Sequence, residues 1–353
     1  MLKHNPHLLM EKTNICCLSQ EELAGLIKAW GKEPYHARQV FKWIYQKGVS
    51  DFMQMSDLPF ALRQRLDDNL LSSGIKLKEK LTSTDGTEKF LLELKDKSLI
   101  EAVVIPSGNR VTACISSQAG CKFACKFCAS GVLGFKRNLS QGEIIEQALY
   151  LKNNNRSRKI THIVFMGTGE PLDNYANVLG AIKMLNSPLA FNIGARRITI
   201  STCGIIPGIE RLAGEHMQIE LSVSLHSAED KARSLLMPVN KKYPLRKLIS
   251  SCKKYMDDTG RQVTFEYILI EGLNSSLRDA LRLSELLGDL RLAKVNLIPS
   301  NSIRQLGARP AKKKDVLLFR DFILKNGINV TLRKARGQDI EGACGQLRIR
   351  HEE

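Results

Sequence analysis

Cys121, Cys125 and Cys128 crowd the stretch CISSQAGCKFACKFC, which begins at Cys114, so that four of the chain's nine cysteines fall within fifteen residues. Thiolates at gaps of three and two residues can hold three corners of an iron–sulfur cube, leaving one iron without a protein ligand. Zinc is the competing reading. A structural zinc ion is closed by four ligands, and Cys114 would supply a fourth sulfur. Zinc motifs more often come as two pairs, however, and the gap back to Cys114 runs into a strand.

A second chemical signal is FMGTGEPL, over 165–172. Glycines at a strand end let a ligand approach the backbone closely, and Glu170, beside Gly169, offers a carboxylate to a ligand ammonium. Alone, the glycine–glutamate tetrapeptide reads better as an ordinary β–α turn; its place two strands from the cysteine loop favours the ligand reading. Polar residues recur at later strand ends: Ser201 in STCG, Ser224-Leu225-His226 in SVSLHS and Asn301 in IPSN. A lone histidine is more often structural; in this array His226 reads as a polar contact to a bound ligand.

The elements that must position these residues are legible as alternation and caps. Ser19 and Glu22 predict a capped helix with the stripe Leu23, Leu26, Ile27 and Trp30. HARQVFKWIYQKG predicts a second helix ended by Gly48, and PFALRQRLDDNLL a third. From Ile75, KFLLELKD, SLIEAVVIPSG and RVTACISS read as strands joined by turns at Asp85-Gly86 and Ser107-Gly108-Asn109. Strands then alternate with helical periods: VTACIS, HIVFMGTG, RRITISTCG, IELSVSLHS, VTFEYILI and KVNLIPS. Six such units predict an α/β fold with a parallel sheet, open or curled into a partial (β/α)6 barrel of TIM type. In such folds chemistry sits at the C-terminal strand ends. That is where 167–170, 201–204, 224–226 and 299–301 cluster. The expected organisation is an N-terminal tail over 1–14, a helical accessory module over 15–74, a β extension over 75–106, the core over 107–330, and a C-terminal strand and tail over 331–353.

The 353 residues are 43% hydrophobic and 25% charged, a globular balance. Without an apolar run of membrane-spanning length or a signal-peptide core, the expected compartment is the cytoplasm, with no membrane partner. Thiols stay reduced there, so clustered cysteines point to metal or catalysis rather than to structural disulfides. The net charge of +17 points to a polyanionic partner. Its basic stretches, at 152–159, 241–247, 312–314 and 333–336, are scattered, which suits a broad face over folded RNA.

The Cys121-x3-Cys125-x2-Cys128 spacing, with Phe127 before the last cysteine, resembles the signature of the radical S-adenosylmethionine superfamily. With GFKRNLS, MGTGEPL, SLHS, NLIPSN and RGQDIEGACGQL in order, the chain resembles the RlmN/Cfr family of radical S-adenosylmethionine RNA methyltransferases from about Cys17 to Leu347. The helical module resembles that family's helix-hairpin-helix-like RNA-binding domain. The resemblance implies a radical S-adenosylmethionine type of barrel. It implies one [4Fe–4S] cluster on Cys121, Cys125 and Cys128, and two S-adenosylmethionine molecules per turnover. Gly169, Glu170, Ser201, Ser224, Leu225, His226 and Asn301 would contact the cofactor. Cys344 would carry a methyl group before it reaches RNA, and Cys114 would release the product by forming a disulfide with Cys344. Glu101 would accept the ring proton. Three glycines in GQDIEGACGQL give the tail freedom to reach cofactor and base. A thiol nucleophile acts as thiolate, and Arg333, Lys334 and Arg336 are basic neighbours in sequence, equally suited to phosphate contact.

By the same resemblance the substrates are 23S rRNA and tRNA, the electron donor a flavodoxin or ferredoxin, and the protein a monomer. Pro171 after Glu170 and RKARG before the tail match the branch that methylates adenine C2 rather than the C8 branch. Thr168 and Gly342 depart from the family pattern, in which methionine and alanine are common there. Cys16, Cys17, Cys203 and Cys252 read as structural. The different-class alternative is a non-catalytic RNA-binding protein holding zinc or a cluster, although binding needs neither Cys344 nor the Gly169-Glu170 loop.

Overall fold

The computed structural model describes residues 12–132, 134–155, 158–299, 309–333, 336–340 and 351. Asn301, Lys334, Gly342 and Cys344 lie outside the described residues.

The N-terminal module is closed by a parallel pairing of β1 (Thr13–Asn14) with β2 (Leu70–Leu71). Between them lie α1 (Gln20–Ala29), α2 (His36–Phe41), which continues as a π-turn over Lys42–Gln46, and α3 (Phe60–Asn69). The Ser19–Glu22 box caps α1, with Ser19 Oγ accepting from Glu22 N–H at 3.1 Å and Glu22 Oε2 from Ser19 N–H at 2.7 Å. Leu23, Ile27, Val40, Ile44, Leu62 and Leu66 form its buried seam.

One ten-stranded sheet organises the rest. It opens as an antiparallel meander of β3 (Lys76–Thr82), β4 (Glu88–Glu93), β5 (Leu99–Ser107) and β6 (Arg110–Cys114). The chain then makes a hairpin of β7 (Gln118–Gly120) and β8 (Phe135–Asn138), with α4 (Ala129–Val132) in its loop. Helix α5 (Gln141–Asn154) starts at a second capping box, Ser140–Glu143.

Parallel strands follow with helices between them. They are β9 (His162–Phe165), α6 (Tyr175–Asn186), β10 (Ile198–Thr202), α7 (Ile206–Ala213), β11 (Glu220–Ser224), α8 (Asp230–Leu236) and α9 (Leu245–Thr259). The run ends with β12 (Val263–Leu269), α10 (Leu277–Leu287), β13 (Ala293–Pro299), α11 (Lys313–Lys325) and β14 (Asn329–Leu332). From β6 to β14 every neighbouring pair in the sheet is parallel. The sheet is open, with β3 and β14 at its edges. The six predicted core strands are all present. A seventh, β14, straddles the expected boundary at 330/331 because its ladder with β13 carries the sheet across it.

The two faces bury different things. The helix-covered face holds the main core. Val103, Cys114 and Val164 form a separate cluster with Ile105 and Met166. Strand register explains it: Cys114 stands opposite Val103 on one side and Val164 on the other. Period-2 alternation then puts Glu101 on the same inner face, two residues before Val103.

Candidate active site

A cavity of about 380 Å³ opens at the C-terminal strand ends, and Cys121, Cys125 and Cys128 all line it. Gly169, Glu170, Ser201, Ser224 and His226 line it too. The structure thus gathers eight of the sequence-predicted site residues around one space. Cys114 packs with Val103, Ile105 and Met166, which belong to its wall, and Glu101 lies two residues before Val103 on the same face of β5. Leu225 turns into the main core, and its N–H donates to Glu266 O at 3.0 Å.

The cysteine loop is braced by backbone bonds. Cys121 N–H donates to Gly134 O at 2.9 Å, Cys128 N–H to Cys125 O at 3.1 Å and Lys126 N–H to Leu236 O at 2.9 Å. The last of these fastens the loop to α8. Burial pushes the Cys121 thiol up to about 12 and the Cys125 thiol further, and negative charge on the neighbouring cysteines adds to both. Metal-free, these thiols hold their protons at neutral pH, so cluster uptake must displace them. Among the described residues, no three Cys, His, Asp or Glu side chains converge on a point that one ion would fill. The fit to a cluster rests on the donor set: three half-buried soft sulfurs on one loop, close enough that charge on Cys128 raises the Cys121 and Cys125 thiols, lining a common space. An iron–sulfur cube takes one thiolate per iron, and so spreads its ligands more widely than a single ion does.

Two glycines let the next loop lie against the 115–118 stretch that leads from β6 into β7. A Cβ on Gly167 would stand 2.7 Å from Ile115 C. Gly169 has φ +103°, and a Cβ there would stand 2.5 Å from Gln118 Cβ. Glu170 is buried, and its carboxylate holds protein backbone: Oε1 accepts from Leu172 N–H at 3.0 Å and Oε2 from Cys203 N–H at 2.7 Å. Burial still raises its pKa. Glu170 therefore ties the end of β9 to the end of β10 while facing the cavity. Thr168 sits behind the loop, fully buried and off the cavity, with its hydroxyl lacking a hydrogen-bond partner among the described residues. The departure from the family pattern thus falls in packing beneath the site.

His226 adopts φ +56°, a region that bulky residues avoid unless the surroundings impose it. Its Nδ1 accepts from Ile268 N–H at 3.1 Å and its carbonyl from Asn274 Nδ2 at 2.7 Å. Phe127 meets the ring edge-on at 4.4 Å. Burial lowers the imidazole to about 3. His226 is therefore neutral, and by this hydrogen-bond network its proton is on Nε2.

Several supporting residues are not singled out in the sequence. Ser116 Oγ donates to Glu101 O at 2.6 Å and accepts from Thr168 N–H at 2.8 Å, joining the β extension to the glycine loop. Gln118 Oε1 accepts from Glu170 N–H at 2.8 Å. Glu266 brings a second buried carboxylate to the cavity wall, held by Asn296 Nδ2 at 2.8 Å and raised in pKa by burial. An acid within the apolar run VTFEYILI is the signal that could have flagged it. Lys89 pairs with Glu101 at 3.1 Å, both side chains buried. Arg336 lies on the cavity wall beside Asp85, and Asp339 accepts from Ser83 Oγ and Thr84 N–H. The chain entering its C-terminal tail is thereby clipped to the β3–β4 turn.

Residues 13–71 match the N-terminal domain of the ribosomal RNA large subunit methyltransferase, and residues 115–284 match the radical SAM superfamily. The chain is 43% identical, over 96% of its length, to a probable dual-specificity RNA methyltransferase RlmN of Thermoanaerobacter sp. (strain X514), 98% of which is covered. The chain belongs to the RlmN family. A second relative with that description, from Clostridium novyi (strain NT), is 41% identical, with 95% of this chain and 97% of the relative covered. A crystal structure of a radical SAM methyltransferase from Sphaerobacter thermophilus superposes with a TM-score of 0.91 at 39% identity, covering 95% of this chain and 98% of that one. The fold of this RlmN-family chain is therefore the radical SAM fold. Among the described residues, no helix is long and apolar enough to cross a membrane.

Proposed function

We propose that this chain methylates C2 of adenosine in 23S rRNA and in tRNA, by way of a methyl group first carried on Cys344. The observation that supports the reading is that Cys114 packs with Val103, Ile105 and Met166, side chains that line the same cavity as the three loop cysteines. An aromatic C–H carbon is too poor a nucleophile for direct methyl transfer, so a carrier sulfur and a radical route are needed. Bound on Cys121, Cys125 and Cys128, a [4Fe–4S] cluster with S-adenosylmethionine would supply one-electron sulfonium cleavage and hydrogen abstraction.

The protein's own residues do the rest. Gly169, Glu170, Ser201, Ser224, His226 and Asn301, with the Leu225 backbone, hold the cofactor. Neutral His226 offers an Nε2–H donor, with Nδ1 already engaged by Ile268. Cys344 accepts a methyl group from one cofactor molecule; a second serves the radical step. Once its carbon is joined to C2, Glu101 accepts the ring hydrogen as a proton, and the unpaired electron left on the ring would return to the oxidised cluster, giving a closed-shell thioether. Cys114 thiolate then attacks the Cys344 sulfur: an S–S bond forms, the S–CH₂ bond breaks, and the carbon leaves with the electron pair to be protonated as methyl. Cys344 follows Ile340 by four positions, a reach of at most about 14 Å, and the clip at Asp339 anchors the near end of that reach.

The charge of +17 and the N-terminal module suit an RNA substrate. A flavodoxin or ferredoxin would supply the electron, and the protein would act as a cytoplasmic monomer. The test is mass spectrometry of RNA from a strain lacking the gene, before and after complementation. Loss and return of 2-methyladenosine in both RNAs is expected. Return of 8-methyladenosine instead, or of neither, would overturn the assignment.

A further inference from the structure

Arg233 is the largest fully buried side chain among the described residues, with none of its surface exposed. The hydrogen-bond acceptors around it are neutral. Nε donates to Leu225 O at 3.2 Å, Nη1 to Asn240 Oδ1 at 2.6 Å, and Nη2 to Cys203 O at 2.9 Å and Ser224 O at 3.1 Å. Asp230, on the same helix, is occupied by Asn240 Nδ2 at 2.8 Å and Leu245 N–H at 2.9 Å. These bonds occupy four of the guanidinium's five N–H groups with neutral acceptors, and Asp230, a carboxylate within electrostatic reach, makes no hydrogen bond to it among the described residues. A buried charge that is not directly ion-paired is costly even when hydrogen-bonded. The groups within electrostatic reach include Cys125 and Cys203, both on the cavity wall. Helix α8, which carries Arg233, is fastened to the cysteine loop by the Lys126–Leu236 bond.

We propose that Arg233 is the built-in counter-charge of the anionic cluster held by Cys121, Cys125 and Cys128, and that it sets that cluster's reduction potential. The inference rests on the cluster reading above and deepens it. Arg233 touches no reacting atom and acts through the cluster. Uptake of one electron from the donor makes the thiolate-bound cluster one unit more negative. A fixed positive charge stabilises that state and so raises the potential.

The test is an EPR-monitored potentiometric titration of anaerobically reconstituted protein, unaltered and as Arg233→Lys, Arg233→Gln and Arg233→Met, with dithionite as reductant and no RNA. Without the charge, Gln and Met should lower the reduced-to-oxidised ratio at fixed potential at least tenfold, a shift of about 59 mV for one electron. Lys should stay close to the unaltered protein. Should Arg233→Met fail to fold, Arg233→Gln, which can still donate to the Cys203 and Ser224 carbonyls, carries the comparison. Loaded Gln or Met variants with an unmoved midpoint would overturn the proposal, as would a Lys variant shifted as far as Met. Failure of the unaltered protein to take up iron and sulfide would overturn the cluster reading itself.

Discussion

Lys89 Nζ stands 3.1 Å from Glu101 Oε2 across two strands of the β extension, and both side chains are shut away from water. Register sets this up: Lys89 is opposite Val103 and Leu91 opposite Glu101, so the pair meets on a diagonal of the inner face. Removing one partner takes this charge pairing away from a buried ionisable side chain. Lys89→Met should cost about 3–5 kcal/mol of stability. The double variant Lys89→Met/Glu101→Leu should recover most of that loss. Urea denaturation checks both; equal stabilities for Lys89→Met and the unaltered protein would contradict the pairing argument.

Alanine at Cys121, Cys125 or Cys128 should each abolish iron retention after anaerobic reconstitution, leaving far-UV circular dichroism unchanged, because these side chains are only half-buried. Cys252, fully buried on α9, and Cys16, fully buried in the N-terminal module, should keep full iron content when changed to Ala, at a cost in stability. Iron and sulfide assays on the purified variants decide. Iron retained by any of the three loop variants would point to another ligand set.

Glu146 on α5 is buried; Gly74 N–H donates to its Oε1 at 2.6 Å, and Oε2 has no hydrogen-bond partner among the described residues. Burial raises its carboxyl to about 7. With the folded pKa above the unfolded one, the folded state binds the proton more tightly. Its contribution is complete below about pH 4 and is lost as pH rises through 7, a fall on the order of 1–3 kcal/mol. Glu146→Gln should flatten that fall between pH 5 and pH 8 in urea titrations. An equal fall in the variant would assign it to other groups.

How much of this was legible in the sequence varies with how local the cause is. The Ser19–Glu22 and Ser140–Glu143 caps involve residues three apart, so their bonds could be read directly. Cys121, Cys125 and Cys128 share one loop, so their spacing fixes their proximity. Lys89 was different: a lysine in an alternating strand reads as solvent-facing, and only the register with β5 reveals Glu101 beneath it. Arg233 reads as one more surface base on a short helix until the carbonyls of Cys203, Ser224 and Leu225 close around it. Glu170 was expected to point at a ligand, but its carboxylate also bridges two strand ends that are far apart in sequence. A C-terminal strand is expected from 331 on; β14 begins at Asn329, a start set by its ladder with β13 rather than by any local signal.

The resolving role of Cys114 is the point on which the carrier-sulfur account turns. Cys114→Ala enzyme, reconstituted and incubated with S-adenosylmethionine, reductant and an rRNA fragment, can be digested and analysed by mass spectrometry. The account predicts a covalent protein–RNA adduct in which one CH₂ joins the Cys344 sulfur to adenine C2, with no free methylated RNA. Multiple-turnover release of 2-methyladenosine by that variant, with no adduct, would contradict it.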